Sequence, residues 1–289
     1  MPRSELSTAQ QAAYQAQGYL VLPGFKPRAE VQAAVARARE LVDAFDPAAG
    51  ASRFSTRDRS LVADQKLLDS ADQVHCFFEE EALDEQGRLR VPKAQSINKI
   101  GHALHDRDPV FDAFSHGPDL ATVARGVGLA QPQIWQSMVI FKQPHIGGEV
   151  GWHQDASFFV TEPITVTTFW FALEDATLDN GCLWAEPGGH RGPRGVLRER
   201  YVCDQGRLRM EHLDDTPWPA AGGATHSAVA LPVEAGTLVV FHGLLPHYSA
   251  PNRSGRSRVA YTLHVTDATA AYAASNWLQR TARPLRGFV

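Results

Sequence analysis

The sequence predicts a helical first part followed by an antiparallel β-domain, a sandwich or jelly roll that carries helices. Two observations predict it. Apolar residues recur at helical spacing over residues 1–50, and from Gln133 onward at a period of two, in short runs rich in Val, Ile, Thr, Phe and Trp. No glycine-rich turn joins a predicted strand to a predicted helix, so the chain carries no dinucleotide-binding fingerprint.

Each element has a local reason. Ser7 and Gln10 form a capping box that opens a first helix, and Gly18 is placed to end it. Tyr19–Leu22, short, apolar and followed by Pro23-Gly24, suits a buried strand and a turn. Pro27 starts a second helix whose buried face is Val31, Val35, Ala38, Leu41, Val42 and Phe45, with Pro47 beyond its end. Residues 50–110 read as polar loops around a strand at Val74–Phe78, and Asp108-Pro109 and Pro118-Asp119 open two short helices. Strands are then expected at Ile134–Phe141, Ile164–Leu173, Leu183–Ala185, Ala228–Val233, Thr237–His242 and Arg258–Val265. Asp179-Asn180-Gly181 carries a hairpin signal, and Pro187–Gly223 reads as a long irregular, functional loop.

Composition narrows the function. The 289 residues, 44% hydrophobic and 21% charged, are those of an ordinary globular chain, which excludes disorder, collagen and coiled coil as whole-chain descriptions. A net charge of −4, with the Arg191–Arg209 stretch interrupted by Glu199 and Asp204, argues against nucleic acid as a partner. Three cysteines without a CxxC pair suit a reducing compartment, and no segment has the character of a secretion signal, a membrane span or a peroxisomal tail. The expectation is a cytoplasmic protein, monomer or homodimer, with a small-molecule partner and no membrane.

The chemistry concentrates in Gly151-Trp152-His153-Gln154-Asp155. At a strand end, residues two apart share a face, so His153 and Asp155 would present an imidazole and a carboxylate side by side. His247, just past the apolar run ending at His242, supplies the third ligand of a two-histidine, one-carboxylate triad. Such a triad binds ferrous iron and leaves one octahedral face open. His242 is the rival ligand, although a histidine ending an apolar strand is more often a core residue. Arg258 opens the last strand eleven residues after His247. Charge counting explains why an arginine is wanted there. Ferrous iron with one carboxylate ligand carries one positive charge, and a bound dicarboxylate keto acid adds two negatives. A guanidinium restores neutrality through two parallel hydrogen bonds. Arg253 and Arg280 read as surface arginines.

The triad and Arg258, with the stretches Ser96–His105, Phe141–Phe158, Glu174–Thr177 and Asn180–Trp184, resemble the phytanoyl-CoA dioxygenase family of Fe(II)- and 2-oxoglutarate-dependent oxygenases. The resemblance covers most of the chain. It implies one oxygenase domain over 1–289, with a helical part at about 1–130 and a double-stranded β-helix, cupin-like jelly-roll core at about 131–270. It further implies Fe(II) as cofactor and 2-oxoglutarate and O2 as cosubstrates, with 2-oxoglutarate also held by Lys99, Met138 and Trp170. By themselves Met138 and Trp170 read as core residues, whereas a semi-buried Lys99 needs an anion. Arg256 shares the strand parity of Arg258 and is the alternative anchor. No catalytic residue is expected beyond the metal ligands.

The resemblance implies hydroxylation, desaturation or ring formation at an unactivated C–H bond of a small organic substrate, with release of succinate and CO2. Related halogenases keep a small apolar residue where this chain has Asp155, so halogenation is not expected. The family's usual Pro-Gly-Ser-His is Pro187-Gly188-Gly189-His190 here, and Trp152 precedes His153; both are expected to line the substrate approach. Arg191, Arg194 and Arg198 would serve an acyl-CoA, but a solvated loop explains them equally well. The alternative is a zinc-dependent hydrolase or isomerase, or a non-catalytic jelly-roll binder, that retains the triad. Neither the hydrolase nor the isomerase needs Arg258 or Lys99 beside the metal.

Overall fold

The computed structural model of the chain describes residues 5–47, 53–54, 65–219 and 228–289. Helix α1 (Thr8–Gln17) opens with the expected box: the Ser7 hydroxyl accepts the Gln10 N–H, and Gln10 Oε1 accepts the Ser7 N–H. Gly18 ends it at φ +83°, a left-handed conformation that any Cβ disfavours, and a Cβ there would also strike the His190 ring. Strand β1 (Tyr19–Leu22) follows, then α2 (Arg28–Ala44), which buries Val31, Ala34, Ala38 and Val42. The short β2 (Arg53–Phe54) and α3 (Gln65–Asp69) precede β3 (Val74–Glu79) and β4 (Ile97–His102). Helices α4 (Leu104–Arg107), α5 (Pro109–Ser115) and α6 (Pro118–Gly126) come next, with the Asp108 carboxylate accepting the Val110 and Phe111 N–H groups at the start of α5.

The β-domain runs β5 (Pro132–Lys142), β6 (Val150–His153), β7 (Thr161–Glu162), β8 (Thr167–Ala172), β9 (Leu183–Ala185), β10 (Glu199–Asp204), β11 (Arg207–His212), β12 (Val229–Leu231), β13 (Leu238–His242), β14 (His247–Ser249), β15 (Arg258–Asp267) and β16 (Ala271–Tyr272). Among the described residues, eight strands form the larger sheet in the order β1-β13-β8-β15-β5-β4-β3-β2, and four form the smaller, β12-β9-β14-β6. The neighbours are antiparallel except β2 and β3.

Alternation along the strands decides what each face of the larger sheet meets. Phe169, Phe171, Val259, Tyr261, Leu263 and Val265 pack against the helices, in one cluster with Tyr14, Val31, Phe111 and Leu120. Trp170, Ala172, Val239, Phe241 and Ala260 face the smaller sheet and meet Cys182, Leu183 and Ala185. The result is a jelly roll with helices on its outer face. Truncating a fully buried ring such as Phe171 to alanine would cost about 3–5 kcal/mol. Among the described residues no helix is long and apolar enough to cross a membrane.

Four expectations need correction. Residues 97–102, read as loop, are β4; both its faces are buried, so Asn98, Lys99 and His102 hide the apolar signal. The stretch expected to be irregular holds the β10–β11 hairpin, while residues 220–223 lie outside the described residues. Asn180-Gly181 does form a turn, with Gly181 at φ +87°, but it carries the chain from the larger sheet to the smaller and joins no hairpin. The Arg280 side chain is 1% exposed and pairs with Asp72 (3.0 Å) and Asp106, so it is a buried tie and not a surface cation.

Candidate active site

The two histidines meet through strand pairing. His153 closes β6, His247 opens β14, and the antiparallel register sets them directly opposite each other. Each ring is oriented by the backbone: Nδ1 of His153 contacts the Gly151 carbonyl (2.8 Å) and Nδ1 of His247 the Leu245 carbonyl (3.0 Å), which leaves both Nε2 atoms pointing at Asp155. Asp155 has already left the strand and starts a 3-10 turn over Asp155–Ser157. The intervening Gln154 fixes that exit, donating to the Val196 and Leu244 carbonyls and accepting the Arg198 N–H. Asp155 Oδ1 stands 3.6 Å from His153 Nε2 and 3.7 Å from His247 Nε2, and one ligand atom from each residue lies within 4.8 Å of the others. Three convergent ligands of these types suit a divalent transition metal.

The other carboxylate oxygen, Oδ2, accepts the Thr168 hydroxyl and faces His264 Nε2 at 3.5 Å. Burial alone would raise the Asp155 pKa. The neighbouring His247 and His264, the hydrogen bond from His264, and His153 outweigh it and hold the carboxyl far below the usual range. Asp155 is thus in the ionised form that a metal ligand requires.

The inner face of the larger sheet carries the predicted cosubstrate residues. Arg258, Ala260, Thr262 and His264 alternate inward along β15, and register places Lys142 beside Arg258, Met138 and Trp170 on either side of Thr262, and Lys99 one strand further beside Ile140. The Arg258 side chain is buried, with its guanidinium 5.7 Å from the Trp170 ring centroid and Nη2 reaching Ser249 Oγ at 3.4 Å. Its Nε and Nη1 have no protein partner, and burial lowers its pKa to about 10. Lys99 is buried too; desolvation lowers it to about 7 against the opposing pull of Glu79. Lys142 acts differently, donating to the Gly148, Ser249 and Ala250 carbonyls and so stapling the approach to β6 to the end of β14.

Other predicted residues lie elsewhere. Arg256 sits exposed in the turn before β15, so strand parity does not carry to it. His242 falls on the opposite face of β13, accepts the Leu244 N–H at 3.0 Å and packs against His190, which sets it aside as a ligand. Gly188 and His190 pack against α1 and Gly18, and Trp152 stacks on Tyr248 (5.5 Å between centroids). Arg194 pairs with the Glu186 carboxylate, and Arg198 is buried beneath Trp218; with Arg191 they form no open basic patch. Sequence reading missed Thr168, His264, Ser249 and Lys142. The one signal for His264 was its parity with Arg258 on a strand whose other face is apolar.

The comparisons agree with this geometry. The family model described as phytanoyl-CoA dioxygenase (PhyH) matches residues 14–260. The phytanoyl-CoA dioxygenase domain-containing protein 1 of Mus musculus is 44% identical, covering 96% of this chain and 96% of the relative. Phytanoyl-CoA dioxygenase 1 of Oryza sativa subsp. japonica is 43% identical, over 98% of this chain and 97% of the relative. The fold also matches the crystal structure of EctD from S. alaskensis with 2-oxoglutarate and 5-hydroxyectoine, at a TM-score of 0.64 and 21% identity over 98% of this chain and 87% of that one. Given a family model and relatives that span nearly the whole sequence, the chain belongs to the phytanoyl-CoA dioxygenase family.

Proposed function

We propose that this dioxygenase uses Fe(II), 2-oxoglutarate and O2 to oxidise an unactivated C–H bond of a small organic substrate, releasing succinate and CO2. The observation that carries the reading is the buried Arg258 guanidinium with two unpartnered nitrogens, Nε and Nη1. Buried donors are normally satisfied, and a guanidinium with this many free N–H groups keeps a fork that matches a carboxylate. Arg258 also touches Ser249, which lies two residues from His247 along β14. That separation is about 7 Å at the usual strand rise, close to the span between the keto end and the far carboxylate of a five-carbon diacid.

His153, Asp155 and His247 would hold the iron, and Arg258 would hold the far carboxylate, with Trp170 and Met138 forming the walls and Lys99 adding positive charge. When bound, iron and the keto acid supply the oxidising chemistry with O2. The chain's contribution is orientation: backbone carbonyls fix the imidazoles, Thr168 and His264 fix the carboxylate, and the inter-sheet packing excludes water. A carboxylate at Asp155 fills the position that a halogenase leaves open, which favours hydroxylation, desaturation or cyclisation. A zinc hydrolase would have no use for the unpaired guanidinium. A reducing, cytoplasmic setting suits both ferrous iron and the free Cys76, Cys182 and Cys203.

Turnover without substrate tests the reading. Aerobic protein with Fe(II) and 2-oxoglutarate is expected to release succinate slowly, and Asp155→Ala to release none above the free-iron background. Equal release by both proteins would refute the assignment.

A further inference from the structure

A second buried cation stands beside the cosubstrate anchor and is held by backbone carbonyls. Lys142 closes β5 on the larger sheet, 2% exposed and directly opposite Arg258 in the register. Its side chain leaves that sheet and crosses to the strand ends of the smaller one. Nζ donates to the Gly148 carbonyl at 2.6 Å, to Ala250 at 2.7 Å and to Ser249 at 3.2 Å. Burial and the neighbouring Arg258 pull its pKa well below the usual lysine value. Three acceptors nevertheless call for three N–H groups, which only the ammonium has. The fold keeps a path clear for this stem: a Cβ on Gly181 would stand 2.7 Å from Lys142 Cδ and 2.5 Å from the Ala250 carbonyl oxygen.

The three carbonyls belong to the stretches that carry the metal-binding histidines. Gly148 lies five residues before His153, and Ser249 two residues after His247. Ser249 is gripped twice, its carbonyl by Lys142 and its hydroxyl by Arg258 Nη2 at 3.4 Å, while that hydroxyl donates to the Gly181 carbonyl at 2.9 Å. The histidines come from β6 and β14 of the smaller sheet and Arg258 from β15 of the larger. Stacked sheets stand about 10 Å apart, so a diacid held at both ends bridges them. A cation rooted in one sheet and chelated by the strand ends of the other limits how far the two can part at that point.

We propose that Lys142 is a positioning residue, a strut between the sheets that fixes the gap between the metal and Arg258 and so sets the chain length of the diacid the site accepts. This rests on the iron and 2-oxoglutarate reading above and adds the element that makes it selective. The test compares 2-oxoglutarate with 2-oxoadipate, one methylene longer, by dissociation constants from thermal-shift titrations in Mn(II). Wild type is expected to bind 2-oxoglutarate roughly tenfold or more tightly, the usual worth of one methylene in a shaped site. Lys142→Met keeps the stem and loses the donors, and the preference should fall severalfold. In Lys142→Ala, n-propylammonium replaces the missing atoms and should restore the preference, whereas tetramethylammonium, which carries the charge without an N–H, should not. A purely structural role would lower the melting temperature of both variants and leave the ratio of the two diacids unmoved. Equal binding of the diacids by wild type overturns the proposal, as does a folded Lys142→Met that keeps the wild-type ratio. Equal effects of the two cations on Lys142→Ala also overturn it, and that comparison decides where Lys142→Met does not fold. No shift of wild type with either diacid would overturn the cosubstrate reading itself, and the strut with it.

Discussion

Replacing Arg258 by methionine removes a buried cation whose Nε and Nη1 have no partner within the chain. Each unsatisfied buried donor costs about 1–3 kcal/mol, so the substitution removes a penalty from the ligand-free protein. It also removes a long contact to Ser249 Oγ (3.4 Å) and the approach to Trp170 at 5.7 Å. Those are worth about 0.5–1.5 and 0.5–2 kcal/mol, together less than the roughly 2–6 kcal/mol that the two unpaired donors cost. The ligand-free variant should therefore melt at or above wild type. With 2-oxoglutarate the proteins diverge. At a hundred times its dissociation constant the ligand stabilises wild type by about 2.7 kcal/mol, a shift of several degrees. Loss of two charge-assisted hydrogen bonds weakens binding by about 3 kcal/mol or more, beyond a hundredfold, so the same concentration stabilises the variant by no more than about 0.4 kcal/mol. Thermal melts with and without 2-oxoglutarate, in Mn(II) to prevent turnover, measure both quantities. Arg256→Ala is the control and should behave as wild type. A Met variant that melts far below wild type yet keeps its full ligand-induced shift would refute the reasoning, since Arg258 would then be a structural ion and not an anion anchor.

Three further outcomes follow from the site. His247→Ala should lose iron binding while His242→Ala keeps it, because the His242 ring is occupied by the Leu244 N–H and lies on the other face of β13; equilibrium dialysis against Fe(II) decides, and equal loss in both would contradict the assignment. Thr168→Val removes the hydroxyl on Asp155 Oδ2 and should weaken iron about 10–100-fold, the usual effect of losing such a support; unchanged affinity would show that His264 alone suffices. Lys99 should make the ligand-free protein more stable with rising pH. Its folded pKa of about 7 lies below the unfolded value near 10.5, so between these limits the unfolded chain binds a proton that the folded chain does not, and raising pH relieves that bias. Urea midpoints at pH 7 and 9.5 should rise more in wild type than in Lys99→Met, and parallel profiles would place Lys99 in an ordinary ion pair.

The fold was legible where one face of an element is apolar. The capping box at Ser7, the buried stripe of α2, and the strands that carry Met138, Trp170 and Arg258 all follow from local periodicity. It was not legible where both faces of a strand are buried against different partners, as in β4, whose polar inner residues break the alternation. The metal-bearing strands β6 and β14, four and three residues long, are too short for a periodic signal; their pairing comes from the closure of the smaller sheet. The triad itself was readable from residue types, yet the expectation that His153 and Asp155 share a strand face gave the right proximity for an incomplete reason. A 3-10 turn pinned by Gln154 delivers the carboxylate.

The most direct test of the central claim is an anaerobic titration of the metal-free protein with Fe(II) and then 2-oxoglutarate, following the weak visible charge-transfer band of a chelated keto acid. Wild type should show the band at one iron and one 2-oxoglutarate per chain; His153→Ala should show none, and Arg258→Ala should need far more 2-oxoglutarate to reach it. A properly folded wild-type protein that binds iron and shows no such band would contradict the account.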